Sequence, residues 1–567
     1  MRTHEWMPRL LAFGILLIAC ARAPIAQAQF TVITKNPLGQ NGMGFGVSWV
    51  DVDQDGDDDL YLTYDGPNVL LRNDGADQFT DISASPIDDG GNSGSGVWGD
   101  ADGDGDLDLY LVNYLTANHL FRNEGASGFT DITSGPLGDA GAGQGAAWAD
   151  VDRDGDLDLY LVNYGTPNKL FRNQGGGVFV DATSGPLGDA GWGVAVAWGD
   201  FDGDGDPDLY LTNDGPNRLL RNDGSAFTRV TGLAIEDSGA GQGAAWGDFD
   251  NDGDLDLYIA NYGTASKLLR NEGGGAFTAL TAGPLGDRGN STGVVWGDFD
   301  NDGDLDLYRT SYGSGNALLR NDGGGVFVAL TSGPLGDADN CDGVAASDTD
   351  LDGDLDLYVV KDGHANALLR NDLAAGSHWL ELRLTGTVSN RSAIGARVRV
   401  VAGALRQIRE VSGGSGYLSQ SSLTIHVGLG ASTVADSVTV IWPSGLVTRL
   451  QAVAANQRLA LDEQGAVAVG GTDPSPVFQL EAPAPNPAID GATLRFHLPR
   501  AASVRLGIYD VQGRCVASLI DGHGGPGPHE VRWDGQDGRG RKVAAGVHFV
   551  RLEAGPLRAT RKLIVLP

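Results

Sequence analysis

The sequence predicts an all-β chain: a seven-bladed β-propeller followed by a small β domain and a C-terminal β-sandwich. Three observations lead there. Glycine accounts for 87 of 567 residues, too many for a helical bundle and without the three-residue period of collagen. An acidic nonamer recurs seven times at successive spacings of 49, 50, 50, 48, 50 and 50 residues, the repeat length of a four-stranded propeller blade and longer than leucine-rich or ankyrin units. A short apolar run precedes each nonamer and a period-two alternation follows it, as in LDLYLVN of the third repeat, which reads as a strand on either side.

Charge and composition limit the function. With 39 Lys and Arg against 74 Asp and Glu the formal charge is -35, which argues against a nucleic-acid partner. A hydrophobic share of 41% with eleven Trp separates the chain from a disordered acidic tail. The acid is concentrated: residues 30–376 hold 59 acidic and 16 basic side chains. Cys20, Cys341 and Cys515 are the only cysteines and fall in three different segments, so no disulfide framework is expected.

Residues 1–28 read as an export signal. Arg2 and Arg9 flank or precede an apolar run over 10–19, short of the roughly 20 residues of a membrane span and suited to a signal-peptide core. Two cleavage readings stay open. Ala26-Gln27-Ala28 fits an A-x-A site that frees Gln29, and Leu17-Ile18-Ala19-Cys20 fits a bacterial lipobox that leaves a lipidated Cys20; the first is preferred. No transmembrane segment is expected in the mature chain, so the protein is expected to be secreted or at the cell surface, with association to an outer membrane one form of this.

Residues 29–376 read as the propeller. Its nonamers are DVDQDGDDD with Asp51, Asp53, Asp55, Asp57 and Asp59; DADGDGDLD with Asp100, Asp102, Asp104, Asp106 and Asp108; DVDRDGDLD with Asp150, Asp152, Asp154, Asp156 and Asp158; and DFDGDGDPD with Asp200, Asp202, Asp204, Asp206 and Asp208. There follow DFDNDGDLD with Asp248, Asp250, Asp252, Asp254 and Asp256; DFDNDGDLD with Asp298, Asp300, Asp302, Asp304 and Asp306; and DTDLDGDLD with Asp348, Asp350, Asp352, Asp354 and Asp356. Beyond each loop, stretches such as KLFRNQGGGVFVDAT from Lys169, or Asn73-Asp74-Gly75 at the same corner, read as a hairpin of two further strands. The seventh unit has no fourth-strand sequence, whereas FTVITKNPL from Phe30 matches one. The first strand is therefore expected to complete the last blade, which would leave no unpaired edge.

The loops point to calcium. In every nonamer the odd positions are Asp and the sixth is Gly, which permits a left-handed turn and wraps positions one, three, five and nine around a point. Four carboxylates there make six repulsive pairs, each costing about 4 kcal/mol at a separation near 4 Å and an effective dielectric near 20, so a cation must sit at the centre. All-oxygen ligation in a flexible loop favours Ca2+ over Mg2+ or Zn2+, with the seventh residue contributing its carbonyl. About seven sites are expected. An EF-hand is excluded because position twelve, its closing Glu, is here Leu62, Leu111, Leu161, Leu211, Ile259, Arg309 and Val359. Seven copies at fixed spacing are also unlike a solvated charge run.

On these residues the repeat region resembles the FG-GAP or VCBS repeat of integrin α-subunit propellers, whose calcium loops share the DxDxDGxxD form. The resemblance implies side-chain ligation by Asp100, Asp102, Asp104 and Asp108 and carbonyl ligation by Asp106, and likewise in the other loops. Two departures are Pro207 in place of Leu and Ala346 where six repeats have Trp; the second puts packing of the seventh blade in doubt. Residues 377–463 resemble the ASPIC/UnbV domain through NRSAIGARVRV from Asn390, REVSGGSGYLSQSS from Arg409, HVGLG from His426 and VIWPSG from Val440; with the propeller, the whole is similar to the cartilage acidic protein family and its bacterial relatives. After a linker over 464–477, residues 478–567, with APNPAIDGATLRFHLP, IYDVQGRCVASL and HEVRWDGQDGRGRKVAAGVHFVRLEAG, resemble the Ig-like domain of flagellar hook-capping proteins and the sorting domains of type IX secretion. That implies a sandwich of about seven strands with a sorting or anchoring role.

No residue set reads as catalytic, and an enzyme is not expected. GAGQGAAW at Gly141 and Gly239 precedes a strand and lacks the strand-to-helix turn of a nucleotide loop; GGSGY from Gly413 ends in Tyr417 and fails the nucleophile elbow. Arg72, Arg122, Arg172, Arg221, Arg270, Arg320 and Arg370 recur before Asn, as structural ion pairs would. The expected function is that of an exported calcium-binding propeller acting in binding or adhesion at or outside the bacterial surface, toward an extracellular protein or glycan. The alternative is a calcium-dependent carbohydrate-binding protein or polysaccharide lyase, for which Lys361, Arg309 and His364 are the residues that break the repeat pattern.

Overall fold

The computed structural model describes residues 30–566 except 76–77, 225, 233, 374–375, 466, 471–478, 481–487, 489–490, 499–501, 510–513, 525–526, 538 and 555–556. The export signal with Cys20, and most of the linker, therefore lie outside the described residues.

The repeats form four-stranded antiparallel sheets that resemble propeller blades. The third is typical: Gly143–Ala149, Asp158–Asn163, Lys169–Asn173 and Phe179–Asp181 pair in that order. Repeats two to six each make such a sheet, while those of the first and last repeats are joined in one larger sheet. Within it, Phe30–Ile33 pairs with Ala367–Asn371 in the register Phe30 to Asn371 and Ile33 to Leu368, so the first strand lies on the seventh repeat. The next residues complete the match: Tyr358 donates its hydroxyl to Leu38 O at 2.5 Å, as Tyr160 does to Leu187 O at 2.6 Å in a GPLG 3-10 turn. These turns, one over Gly185–Gly188, carry no periodicity and were not expected from the sequence.

Period-two alternation suggests one wet face, yet the first six residues of the second strand of each repeat are all buried, as over Asp158–Asn163. The reason is that every sheet is covered on both sides. Tyr61 packs with Trp98, Leu109 and Leu111 of the next sheet, Tyr160 with Trp198, Leu209 and Leu211, and Tyr308 with Leu357 and Val359. Tyr358 of the seventh repeat packs with Trp49, Leu60 and Leu62 of the first repeat. Trp indoles stitch the same junctions, Trp296 Nε1 donating to Ala245 O at 3.0 Å and Trp49 Nε1 to Ala345 O at 3.4 Å.

The second domain consists of two four-stranded sheets. In one, His378–Thr385 lies between Ile425–Gly430 and, in parallel, Gln457–Asp462; the other contains Arg397–Ala402 and Val434–Ile441. Its core is continuous with that of the repeats, since Val427 and Trp442 belong to the same apolar cluster as Trp148 and Leu159. The third domain has a three-stranded sheet around Ala492–Leu498 and a four-stranded one around Ala502–Tyr509, sharing a core with Phe496, Trp533 and Leu552. Cys341 and Cys515 are both free.

Candidate metal centres

Each acidic loop joins the first strand of a repeat to the second, and its local conformation comes from two left-handed residues. The expected one is Gly at position six, with φ between +90° at Gly205 and +103° at Gly56. The other is position four, where Gln54, Arg153, Asn251, Asn301 and Leu351 have φ between +57° and +61° and Gly103 and Gly203 lie at +80° and +76°. The two reversals fold the carboxylates inward. Position one then accepts the N–H of Gly six, as Asp100 does from Gly105 at 2.8 Å and Asp298 from Gly303 at 2.8 Å. Position five accepts the N–H of position seven, as Asp104 does from Asp106 at 2.9 Å.

The loops bring together positions one, three and nine, with one ligand oxygen of each within 4.8 Å of the others: Asp51, Asp53 and Asp59; Asp100, Asp102 and Asp108; Asp200, Asp202 and Asp208; Asp248, Asp250 and Asp256. In the third loop the trio is Asp150, Asp152 and Asp154. Side chains of position seven turn elsewhere. Asp106 accepts from Gln54 Nε2 at 2.7 Å, Asp206 pairs with Arg153 Nε at 3.0 Å, and Asp304 and Asp354 accept from Asn251 and Asn301 at 2.8 Å each. A position-four side chain thus reaches into the next loop, where it also meets the carbonyl of Gly six, as Gln54 does at Gly105 and Asn301 at Gly353.

Position nine is the anchor. Asp108 Oδ2 accepts the N–H of Ala101 at 3.0 Å and Oδ1 that of Asn123 at 2.9 Å, and the same pair of donors serves Asp59, Asp158, Asp208, Asp256, Asp306 and Asp356. The Asn is a residue that sequence reasoning missed. Its Nδ2 donates to the position-two carbonyl of the preceding loop, Asn123 to Val52 O at 3.0 Å and Asn73 to Thr349 O at 2.9 Å, so each loop is braced by the next repeat. Recurrence of Asn after Arg in seven copies was the available signal; its partner, some 70 residues away, was not. The Arg beside it forms the expected ion pairs, such as Arg270 with Glu272 at 2.5 Å and Arg320 with Asp322 at 2.8 Å.

Burial dominates the electrostatics. Desolvation pushes the position-nine carboxyls up to about 8 in Asp108, Asp158 and Asp256 and about 9 in Asp59 and Asp208, against the pull of their N–H donors. It also raises Asp51, Asp100 and Asp150 to about 6 and Asp248 to about 7, with neighbouring carboxylates adding to the effect. Asp51, Asp152 and Asp250 each keep a buried Oδ1 without a hydrogen-bond donor. Converging, desolvated oxygens of this kind fit a cation, which would supply the missing partner.

The residues that break the repeat pattern have structural partners. Arg309 is buried and lies 3.1 Å from Asp287. Lys361 pairs with Asp337 and, at 3.3 Å, with Asp339, and His364 sits 3.7 Å from Asp339. Lys169 with Asp139 and Lys267 with Asp237, each at 2.7 Å, repeat the arrangement in other sheets. Ala346, in place of Trp, is buried against Leu357 and Leu369.

Comparison with known proteins agrees in order along the chain. The FG-GAP-like repeat matches residues 51–111, 100–161, 150–211, 200–259 and 248–309; ASPIC and UnbV matches 386–468; and the FlgD Ig-like domain matches 487–555. No curated protein matches. Among solved structures, an Agrocybe aegerita lectin that recognises non-reducing terminal N-acetylglucosamine is 19% identical over 59% of this chain and 94% of its own, with a TM-score of 0.41. The BP39L lectin of Burkholderia pseudomallei is 14% identical over 59% of this chain and 100% of its own, at 0.42. PorZ, a surface component of the type-IX secretion system of Porphyromonas gingivalis, is 11% identical over 92% and 81%, at 0.21. The chain thus carries, in sequence, FG-GAP-like repeats, an ASPIC and UnbV domain and a FlgD Ig-like domain.

Proposed function

We propose that the protein is an exported, calcium-loaded, seven-bladed propeller that binds an extracellular protein or glycan, with an Ig-like C-terminal sandwich serving surface sorting or anchoring. Closure into a ring is supported by the packing of Tyr358 against Leu60 and Leu62 and by the pairing of Phe30–Ile33 with Ala367–Asn371. Calcium is supported by the donor set: carboxylates and carbonyls without His or Cys, in a loop with two left-handed turns, suit the larger and geometrically tolerant ion. Asp at positions one, three, five and nine would hold it, and its charge would relieve their repulsion. Extracellular calcium modules bind at about 10^-4 to 10^-3 M, so the ion serves folding more than signalling.

The observation that carries a binding role is an aromatic rim at the sheet ends away from the loops. At the end of the second strand the repeats place Tyr114, Tyr164, Tyr262 and Tyr312, with Asp65, Asp214 and Asp362 at the same position in the others. Trp192, 54% exposed, stacks on Tyr164 with ring centroids 5.9 Å apart, and Tyr262 is 41% exposed. Tyr164 and Tyr312 donate to Asp214 and Asp362 at 3.3 and 2.8 Å. Rigid rings beside carboxylates give contact area at low entropic cost. A lyase would need a free base, whereas Arg309 and Lys361 are tied in ion pairs. A glycan and extracellular-protein array probed with calcium-loaded protein and with Trp192→Ala tests the reading: loss of a specific signal in the variant supports the rim, and equal binding by both would remove it.

A further inference from the structure

The loop ends of the sheets are covered by the second domain, and the contacts fall on the backbone of the loops themselves. Arg458 Nη1 donates to Gly56 O at 2.7 Å, Arg397 Nη2 to Asp200 O at 2.5 Å, and Gly430 N to Asn301 O at 2.9 Å. Ser392 Oγ accepts Asp100 N–H at 3.1 Å, and His426 Nε2 lies 3.0 Å from Gly353 O. These groups all sit at positions one, four or six, in the stretch whose course the converging carboxylates fix.

From the same domain, residues 411–422 run as a strap among the first strands of the repeats. Gln420 exchanges backbone bonds with Val47 and Trp49 at 2.9 and 3.0 Å, and its side chain does the same with Trp98 at 2.7 and 2.9 Å. Gly413 O accepts from Trp148 N at 3.0 Å and Gly416 N donates to Ala244 O at 2.8 Å. The fit is close: a Cβ on Gly46 would fall 2.2 Å from Leu418 O. Trp49, Trp98 and Trp148 each lie two residues before a loop. In the seventh repeat that position is Ala346, whose N–H donates to Ser421 Oγ at 3.1 Å and whose carbonyl accepts from Ser422 N at 3.1 Å. From there the strap leaves toward the strand Ile425–Gly430 of its own domain.

We infer that metal loading of the loops holds the second domain docked and its strap in place, so that ion binding and interdomain docking are one linked equilibrium. This rests on the calcium reading above. A loop of five Asp that takes up a divalent ion still carries negative charge, so the guanidiniums of Arg383, 2.5 Å from Asp51, and of half-buried Arg409, which acts on Asp248 and Asp298, remain attracted after loading. What loading adds is a fixed loop shape, with its carbonyls presented to the second domain. Linkage makes the effect reciprocal: loosening the strap must weaken ion binding.

The test uses the full chain. Hydrogen exchange over residues 411–422, measured in calcium and in EDTA, should accelerate at least roughly tenfold on chelation while amides of the second strands stay protected; equal strap protection in the two conditions would overturn the linkage. Because chelation alone could loosen the repeats as well, the second measurement is made at constant charge with the double variant Gln420→Ala, Ala346→Trp. Calorimetric titration with Ca2+ should show binding about three- to tenfold weaker than in the parent chain. Affinity unchanged within twofold would sink the proposal. A parent chain that takes up no Ca2+ in the titration would bring down the metal reading itself, and the linkage with it.

Discussion

The two ends of the repeated sheets are made of the same strands and follow opposite chemistry. At the loop end, carboxylates such as Asp108 and Asp298 are buried, braced by N–H donors and roofed by the second domain. At the far end, Asp214 is exposed and Trp192 and Tyr262 stand in solvent. Stability is invested where charge must be neutralised, and the end left open can vary without cost to the sheets. That division explains why a -35 chain need not be read as a uniformly acidic surface: the first and ninth Asp of the loops, Asp200 apart, are buried.

Chelation should give the largest effect. With calcium at 10 to 100 times Kd, each site contributes about 1.4 to 2.7 kcal/mol, so EDTA is expected to lower Tm by roughly 10 °C or more in scanning calorimetry; a transition unchanged in EDTA would erase the contrast between the ends. Next comes Asp108→Leu, which strands the N–H groups of Ala101 and Asn123 at about 1–3 kcal/mol each. Denaturant titration should show a loss of several kcal/mol, against about 0.5 kcal/mol or less for Asp214→Ala at the exposed end.

The pH dependence sharpens the comparison further. In metal-free protein the carboxyls raised to about 6 to 9, from Asp100 to Asp59, bind protons more tightly folded than unfolded. Their stabilisation is complete below pH 4 and is lost as pH rises to about 9, so apo stability should fall across that window. Calcium should abolish the fall, which thermal melts at pH 5 and pH 8.5 with and without the ion will read. The smallest effect is expected from Trp192→Ala: stability within about 0.5 kcal/mol of the parent, and loss of ligand binding on the array.

What the sequence made legible was whatever repeats locally. Seven nonamers gave the loops, and the period-two runs gave the strands around Tyr160 and its equivalents. The match of FTVITKNPL to a missing strand gave the pairing of Phe30 with Asn371. What stayed hidden depends on partners far along the chain. The left-handed turn at Gln54 and Asn251 looks variable in sequence because Gln, Arg, Asn, Leu and Gly share it. Asn123 looks like a turn residue until its bond to Val52 O is seen, and nothing near Ser392 or Gly413 announces contact with Asp100 or Trp148. Ala346 looked like a packing defect, yet it is buried against Leu357 and Leu369.

The position-four side chains link the seven loops unequally. Gln54 ties the first loop to the second, Arg153 the third to the fourth, and Asn251 and Asn301 chain the fifth, sixth and seventh. Gly103 and Gly203 have no side chain to extend, and that of Leu351 is apolar and offers no donor. Ions arriving at loops linked in this way would fill them in cohorts of two, two and three instead of as independent guests, and the trio would be the last to surrender its occupants during dialysis.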